Sequence, residues 1–544
     1  MSNRSTLLLL GVLLVATVLR FYQLASLPPS LEWDEVATGY DAYSILKTGR
    51  DQYGSFLPLT IRSLDDYKPP LYTYLTVVSI ALLGWNDFAV RAPAAVLGVL
   101  AVFTTYGMVG GLFKNKKIAL LSALFLAISP WHVNFSRLAL ETNSTIFFTT
   151  AGVWAFIAGL KRSWLLPVSA LLMGLNLYLY HNARVFVPLL GIIILILYAK
   201  ELWVHKKALI ASVVIISLFG IRLIPIVTSI EGQMRFNGTS IFSNASPLEI
   251  DEAKKTYASW RVIDNQNGLS VYGTLFHNQY ILFALRLFRN YLTHFDPNFW
   301  LFTNDYPRHH VPEMGILYFI DLPLFLIGLY FLVQNRFKRA IILCFAWILI
   351  APIASAVTRD VPHALRVELM LPIFQIAISF GIVGLLAKLN NQHLWKKVIM
   401  VSIVLAYFLN ISFFLHKFLF HYARETSKYW QYGRQEAALF ADSIKDQYNR
   451  VVVSTKLEQP HMFFLYYLKY DPIRYQKEGG TASGGWAEYR NKFDKYEFKP
   501  ISYDDMSDGF TLFVGLPSEF PASREVLKKI QYLDGEDAIW IVKG

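Results

Sequence analysis

The sequence predicts a polytopic, all-α membrane protein that carries a small α/β domain at its C-terminal end. Three observations predict it. Of the 544 residues, 54% are hydrophobic and 17% charged, where soluble chains carry about 25% charged. Apolar runs of the length a bilayer demands recur from the N-terminus to residue 416. Beyond that point the runs give way to short amphipathic stretches. This composition excludes a disordered chain, a collagen-like fibre and an ordinary water-soluble enzyme. The formal charge of +12 fits basic cytoplasmic loops and sites for anionic lipid or phosphate better than nucleic acid. The single cysteine, Cys344, lies inside an apolar run, so an intramolecular disulfide and a cysteine-based zinc site are both excluded.

The elements follow in order. Residues 6–24, behind Arg4, read as an uncleaved signal anchor with a cytoplasmic N-terminus, because Leu24-Ala25-Ser26 is a poor cleavage site. Further spans are expected at 89–113, 117–131, 144–161, 163–180, 183–200, 207–230, 314–334, 338–357, 365–389 and 396–416, eleven in all. Residues 70–84 are apolar but too short for a hydrocarbon core of roughly 30 Å at about 1.5 Å per residue. With that segment lying along the interface, the Lys/Arg clusters at 114–117, 161–162, 200–207, 336–339 and 388–397 all fall on the cytoplasmic side with Arg4. Such a bias is the main orientation signal in a sequence. The outer face then collects loops 25–88 and 231–313 and three short connections, SPWHVNFSRLALETN (129–143), YHNAR (180–184) and TRDVPHALR (358–366). Residues 1–416 form the membrane domain and 417–544 an extracytoplasmic α/β domain. In the latter, NRVVVSTK, FTLFVGL and DAIWIVKG read as strands, and PHMFFLYYLKY and SREVLKKIQYL as helices.

Charged residues on the outer face carry the candidate chemistry. Asp34 and Glu35 follow the first membrane helix, with Glu32 close by. They read either as an acidic first helical turn or as a general base at the membrane boundary. Lys68, in Asp65-Asp66-Tyr67-Lys68-Pro69-Pro70, either snorkels into headgroups or contacts a phosphate. Arg91 opens the second span. Arg137 with Glu141 is spaced i, i+4, and His181 with Arg184 and His363 with Arg366 are spaced i, i+3, so each pair shares a face if helical. Any one of them is open to a structural ion pair or a lipid contact. Several arginines on the face that the positive-inside rule disfavours point together to a site for a membrane-anchored anion. Metal binding is weakly signalled. His309-His310 with Asp305 and Glu313, or His363 with a loop carboxylate, could supply ligands, but no HExxH or EF-hand spacing is present and no metal site is assigned. No cofactor is identified, and a divalent metal stays open. Walker A, GxGxxG and GxSxG patterns are absent.

An N-terminal membrane helix followed by Asp34-Glu35, then KPPL at 68–71 and Arg91 at the next helix, resembles the GT-C glycosyltransferases. More narrowly, the chain is similar to the dolichyl-phosphate-mannose–protein mannosyltransferases and the lipid A aminoarabinose transferases. NFSRLALETN, YHNARVFVPL and PHALR also look like outer-face segments of bacterial members. The resemblance implies Asp34 as catalytic base with Glu35 as its companion, and Lys68 and Arg91 at the donor phosphate. It departs at Tyr67, where the aminoarabinose enzymes have a glutamate associated with zinc.

The expected function is therefore inverting transfer of a monosaccharide, hexosyl or pentosyl, from a polyprenyl-phosphate donor at the outer face of the cytoplasmic membrane. Lys68, Arg91, Arg137, Arg184 and Arg366 would hold the donor phosphate, and Tyr67, Glu141, His181 and His363 would support the site. The acceptor is a lipid, a protein or an envelope polysaccharide, membrane lipids are the other partners, and no nucleic acid is involved. The competing readings are a lipid-linked oligosaccharide or polymer ligase, a lipid-linked sugar transporter, and a receptor anchored by its helices.

Overall fold

The computed structural model describes residues 3–63, 66–242, 248–302, 305–482, 491–502, 506 and 509–544; Asp65 and Asn244, which begins an N-x-S/T triplet, lie outside them. Every predicted apolar run contains a helix, although the runs 314–334 and 365–389 open with turns and their α-helices start only at Asp321 and Ile373. Seven are long and apolar enough to cross a membrane: Arg4–Phe21, Asp87–Phe113, Ala183–Val204, Lys206–Thr228, Lys338–Ala356, Glu368–Lys388 and His393–Trp430. The other four runs form the helices Lys116–Ile128, Glu141–Gly159, Leu165–Asn176 and Asp321–Val333. The chain is a multi-pass membrane protein.

Close helix contacts rest on small residues. A methyl on Gly328 would lie 1.9 Å from the Ala377 carbonyl oxygen, and one on Gly381 would lie 2.3 Å from that of Leu324. Only glycine lets the Asp321–Val333 and Ile373–Lys388 backbones meet this closely.

Three local features position the connections between the apolar runs. The helix Trp33–Thr48 begins with Asp34 and Glu35 in its first turn and ends at Gly49, whose left-handed φ of 69° lets its amide bond the Ile45 carbonyl. The next helix, Leu71–Leu83, has 13 residues, a length of about 20 Å. It packs on Asp87–Phe113 at a defect. Pro93 inside that helix has no N–H to give the Ala89 carbonyl. The Ser79 hydroxyl donates to that oxygen instead, at 2.6 Å, and Tyr72 donates to the neighbouring Val90 carbonyl at 3.2 Å. The Leu71 amide bonds the Tyr178 carbonyl at 3.0 Å, tying the KPPL segment to the turn that leads into the YHNAR connection.

The last membrane helix, His393–His416, continues through Lys417–His421 into Tyr422–Thr426, so the helical path runs past residue 416. A six-stranded sheet follows, in the order Lys492–Phe493, Tyr496–Phe498, Arg450–Val453, Thr511–Gly515, Asp537–Lys543, Val526–Gln531. Arg450–Val453 pairs in parallel with both neighbours, and the remaining pairs are antiparallel. One expectation is corrected here. SREVLKKIQYL is not a helix, because Val526–Gln531 is an edge strand paired with Asp537–Lys543. The Asp534-Gly535 turn, with Gly535 at φ 98°, closes that hairpin. The domain grips the first outer loop. The Tyr466 hydroxyl donates to Asp87 at 3.1 Å, and Gln476 donates to Ser44, Thr48 and the Asp51 carbonyl.

Candidate functional site

A cavity of about 380 Å³ opens where the outer connections meet. Of the residues singled out in the sequence, Glu32, Asp34, Lys68, Glu141, His309, His363 and Arg366 line it. At its centre the Lys68 ammonium donates to Asp34 Oδ1 at 2.5 Å, with Glu141 4.0 Å from the same nitrogen. The Lys68 side chain is 10% exposed and that of Asp34 is 30% exposed. Burial opposes ionisation of Asp34, but Lys68, with Arg308 and Arg235 behind it, outweighs burial and holds the carboxyl below the usual aspartate range. Lys68 also loses solvation, yet the facing carboxylates of Asp34 and Glu141 raise it.

Lys68 reaches this point through a short hairpin in which Ile61–Ser63 pairs antiparallel with Asp66–Lys68. Strand alternation turns Asp66 and Lys68 one way and Tyr67 the other. Tyr67 accordingly lies against Pro225, Ile226 and Ser229, away from the cavity. A phenol in that position does not take the role of a zinc-associated glutamate.

Glu35, one residue from Asp34, points into the protein. Its carboxylate is fully buried and accepts from Arg91 Nε and Nη2, both at 2.9 Å, from the Ala139 amide at 2.8 Å and from the Glu32 amide at 3.1 Å. Arg91 spends its other donors on the carbonyls of Leu24, Pro28 and Ser30. It does not line the cavity, where the resemblance put it beside the donor phosphate. Arg137 is sealed in the same way. Its guanidinium donates to the carbonyls of Leu19, Tyr22, Gln23 and Leu27. The expected Arg137–Glu141 helical pair does not form, because residues 136–140 are not helical and Glu141 turns toward Lys68. These two arginines instead brace the turn between the first membrane helix and Asp34. Arg184 donates to the Leu177 carbonyl at 3.3 Å and lies 3.2 Å from His181, and neither residue lines the cavity; Tyr180 does.

Two further cations complete the lining. Arg235, from the helix Ile230–Thr239, pairs with Asp66 and lies over the Tyr180 ring. Arg308 pairs with Glu32 and sits between the indoles of Trp33 and Trp430, 5.5 and 5.8 Å from their centroids. Burial pushes the Glu32 carboxyl up, to about 8, against the pull of Arg308. Sequence reading missed both arginines, because they lie in the long outer loop without a helical partner spacing. The one signal was Arg308 beside the conspicuous His309-His310 pair.

On one wall, Asp305, His309 and His363 offer ligand atoms within 4.8 Å of one another. Asp305 Oδ2 accepts from the Ala364 amide at 2.6 Å and lies 2.7 Å from His309 Nδ1. Burial works against the Asp305 carboxylate, but His309 and the Ala364 amide hold it well below its ordinary range. Burial, then Arg366, lowers His363 well below the usual imidazole value, which keeps it neutral. Glu313 is elsewhere, paired with Lys417, and His310 bonds the Val311 carbonyl.

Comparison with solved structures identifies the architecture. The chain aligns over its whole length with ArnT from Cupriavidus metallidurans bound to undecaprenyl phosphate. The TM-score is 0.55 at 12% identity, with 100% of this chain and 98% of that one covered. This is the GT-C fold. The apo state of the same ArnT gives the same TM-score and identity over 99% of this chain. The family model for dolichyl-phosphate-mannose-protein mannosyltransferase matches residues 67–224, a stretch that contains Lys68, Arg91 and Glu141 and stops short of Asp34. A Bacillus subtilis (strain 168) protein named "Putative mannosyltransferase YycA" is 27% identical over 171 residues, which is 30% of this chain and 24% of that relative's length. The GT-C fold expected from the sequence resemblance is therefore borne out.

Proposed function

We propose that this protein is a membrane-bound, inverting glycosyltransferase that moves one sugar from a polyprenyl-phosphate donor to an acceptor at the outer face of the cytoplasmic membrane. The observation that carries the reading is the Asp34–Lys68 pair inside a cavity ringed by Arg235, Arg308 and Arg366. About 380 Å³ is at the small end of ligand sites and suits a monosaccharide and its phosphate better than a lipid-linked oligosaccharide.

The donor phosphate competes with Asp34 for Lys68. Once Lys68 turns to the phosphate, Asp34 is freed as the base for an acceptor hydroxyl or amine. The acceptor atom attacks the anomeric carbon and loses its proton to Asp34. The bond from that carbon to the phosphate oxygen breaks, and its electron pair leaves with the polyprenyl phosphate. The configuration inverts. Lys68, Arg366, Arg235 and Arg308 stabilise the charge that grows on the leaving phosphate, and fixed cations out of bulk water do this at little reorganisation cost. Glu35, Arg91 and Arg137 serve by fixing the helix that carries Asp34. Sugar, acceptor and polyprenol are read out by mass spectrometry of products formed from polyprenyl-phosphate sugars in membranes with and without the protein. Asp34→Asn should bind donor and lose transfer by at least about 100-fold; full turnover by that variant refutes the base assignment.

A further inference from the structure

We propose that Asp305, His309 and His363 form a binding site for one divalent cation of the zinc class on the wall of the cavity. Three observations converge there. The three ligand atoms already lie within 4.8 Å of one another, and the two imidazole centroids are 4.8 Å apart. Ligand atoms about 2.1 Å from one tetrahedral ion stand roughly 3.4 Å from each other, so small rotations of the side chains close the site. His363 is 8% exposed, and its Nδ1 is buried without a hydrogen-bond partner among the described residues. An orphaned imidazole nitrogen next to a carboxylate is costly unless something fills the gap. The donor set is also selective. Two imidazoles and one carboxylate suit zinc, cobalt or a similar ion and disfavour magnesium and calcium, which prefer oxygen alone.

The site differs from the position the resemblance associates with zinc, since that position is Tyr67, which faces elsewhere. It joins two loops far apart in sequence, because Asp305 also holds the Ala364 amide. Lys68, Arg235, Arg308 and Arg366 face Glu32, Asp34 and Glu141 across the cavity, and Asp305 adds a carboxylate beside His309 and His363. A bound dication would add positive charge to this wall. The inference stands apart from sugar transfer, because it concerns binding alone.

The test is cobalt(II) titration of the detergent-purified, chelator-treated chain, followed by visible d–d absorption. Wild type should take one Co²⁺ per chain and release it to Zn²⁺. His309→Ala and His363→Ala should each weaken binding at least tenfold, while His310→Ala should leave it unchanged. Binding by the double variant His309→Ala/His363→Ala as tight as wild type, or no stoichiometric Co²⁺ in wild type, overturns the proposal. Should the alanine variants fail to fold, X-ray absorption of zinc-loaded wild type decides it: two imidazoles on the metal support the site, and one or none refutes it. Cobalt binding without any transfer activity would support the cation site and count against the transferase reading.

Discussion

Replacing Arg91 separates a positioning role from a donor-binding one. In the structure its guanidinium makes two bonds to the buried Glu35 carboxylate and three to main-chain carbonyls, and neither side chain is exposed. Arg91→Ala would leave Glu35 charged and buried with only two amide donors, and would strip a donor from Leu24, Pro28 and Ser30. Removing one partner of a buried pair costs about 3–5 kcal/mol. The orphaned carbonyls add about 1 kcal/mol or more unless water enters. Arg91→Ala is therefore expected to destabilise the protein by at least about 3 kcal/mol, a clear drop in Tm in detergent. The double variant Arg91→Met/Glu35→Gln removes both charges and should recover much of that loss, giving a strongly non-additive mutant cycle. Donor affinity, measured on the folded fraction with a polyprenyl-phosphate sugar, should change little compared with Lys68→Ala, which removes a cavity cation. A wild-type Tm for Arg91→Ala together with a tenfold loss of donor affinity would refute this reasoning and return Arg91 to the phosphate.

Three other outcomes are expected. The acid limb of kcat should lie at higher pH than that of kcat/KM, because Lys68 depresses Asp34 in the free protein and is drawn away by donor in the complex; coincident limbs would contradict the exchange. Asp41, fully buried with Gln52 as its donor, is raised to about 8 by burial and then by Asp51. The folded state thus holds a proton that the unfolded chain releases near pH 4, and stability falls by up to about 1.4 kcal/mol per pH unit as pH rises from 4 to 8. Asp41→Asn should flatten that slope in Tm scans from pH 5 to 8, and parallel curves would rule it out. Gly328→Ala should lower Tm by an overpacking cost of about 1–3 kcal/mol, because the new methyl would overlap the Ala377 carbonyl; an unchanged Tm would show that the helices separate freely.

The parts of the fold legible in the sequence were those written in hydropathy. The eleven apolar runs all contain helices because a bilayer demands long uninterrupted apolar stretches, which leave an unambiguous trace. Cavity residues Asp34, Lys68, Glu141, His363 and Arg366 were legible for the complementary reason, as charges at the margins of those runs. Their roles were harder to read. Arg91 and Lys68 look alike in sequence, and only the turn at residues 24–30, lying across Arg91, separates the buried brace from the cavity cation. Arg235 and Arg308 join the cavity through the path of a long loop, which hydropathy does not encode. In Val526–Gln531, apolar residues at 526, 527 and 530 match helical spacing as well as a strand, and the Asp534-Gly535 turn that decides it lies beyond the element itself.

Asp34 and Glu35 are adjacent acids of one chemical type, and the first turn of their helix sends them to opposite fates. Successive side chains on a helix diverge by about 100°, so one carboxylate must turn inward when the other faces the cavity. Glu35 has every lone pair committed to Arg91 and two amides. With its oxygens engaged and no access to solvent, it suits anchorage. Asp34 keeps one mobile partner, Lys68, and about a third of its side chain open. A base held at depressed pKa is a weak base, and an Asp34 that stayed paired with Lys68 would serve poorly. In the proposed mechanism, the arrival of a phosphate that claims Lys68 would solve this: the carboxylate would gain basicity only when donor is bound. The buried Glu35–Arg91 pair would hold the helix in place, leaving the lysine, on its two-stranded hairpin, as the member to move.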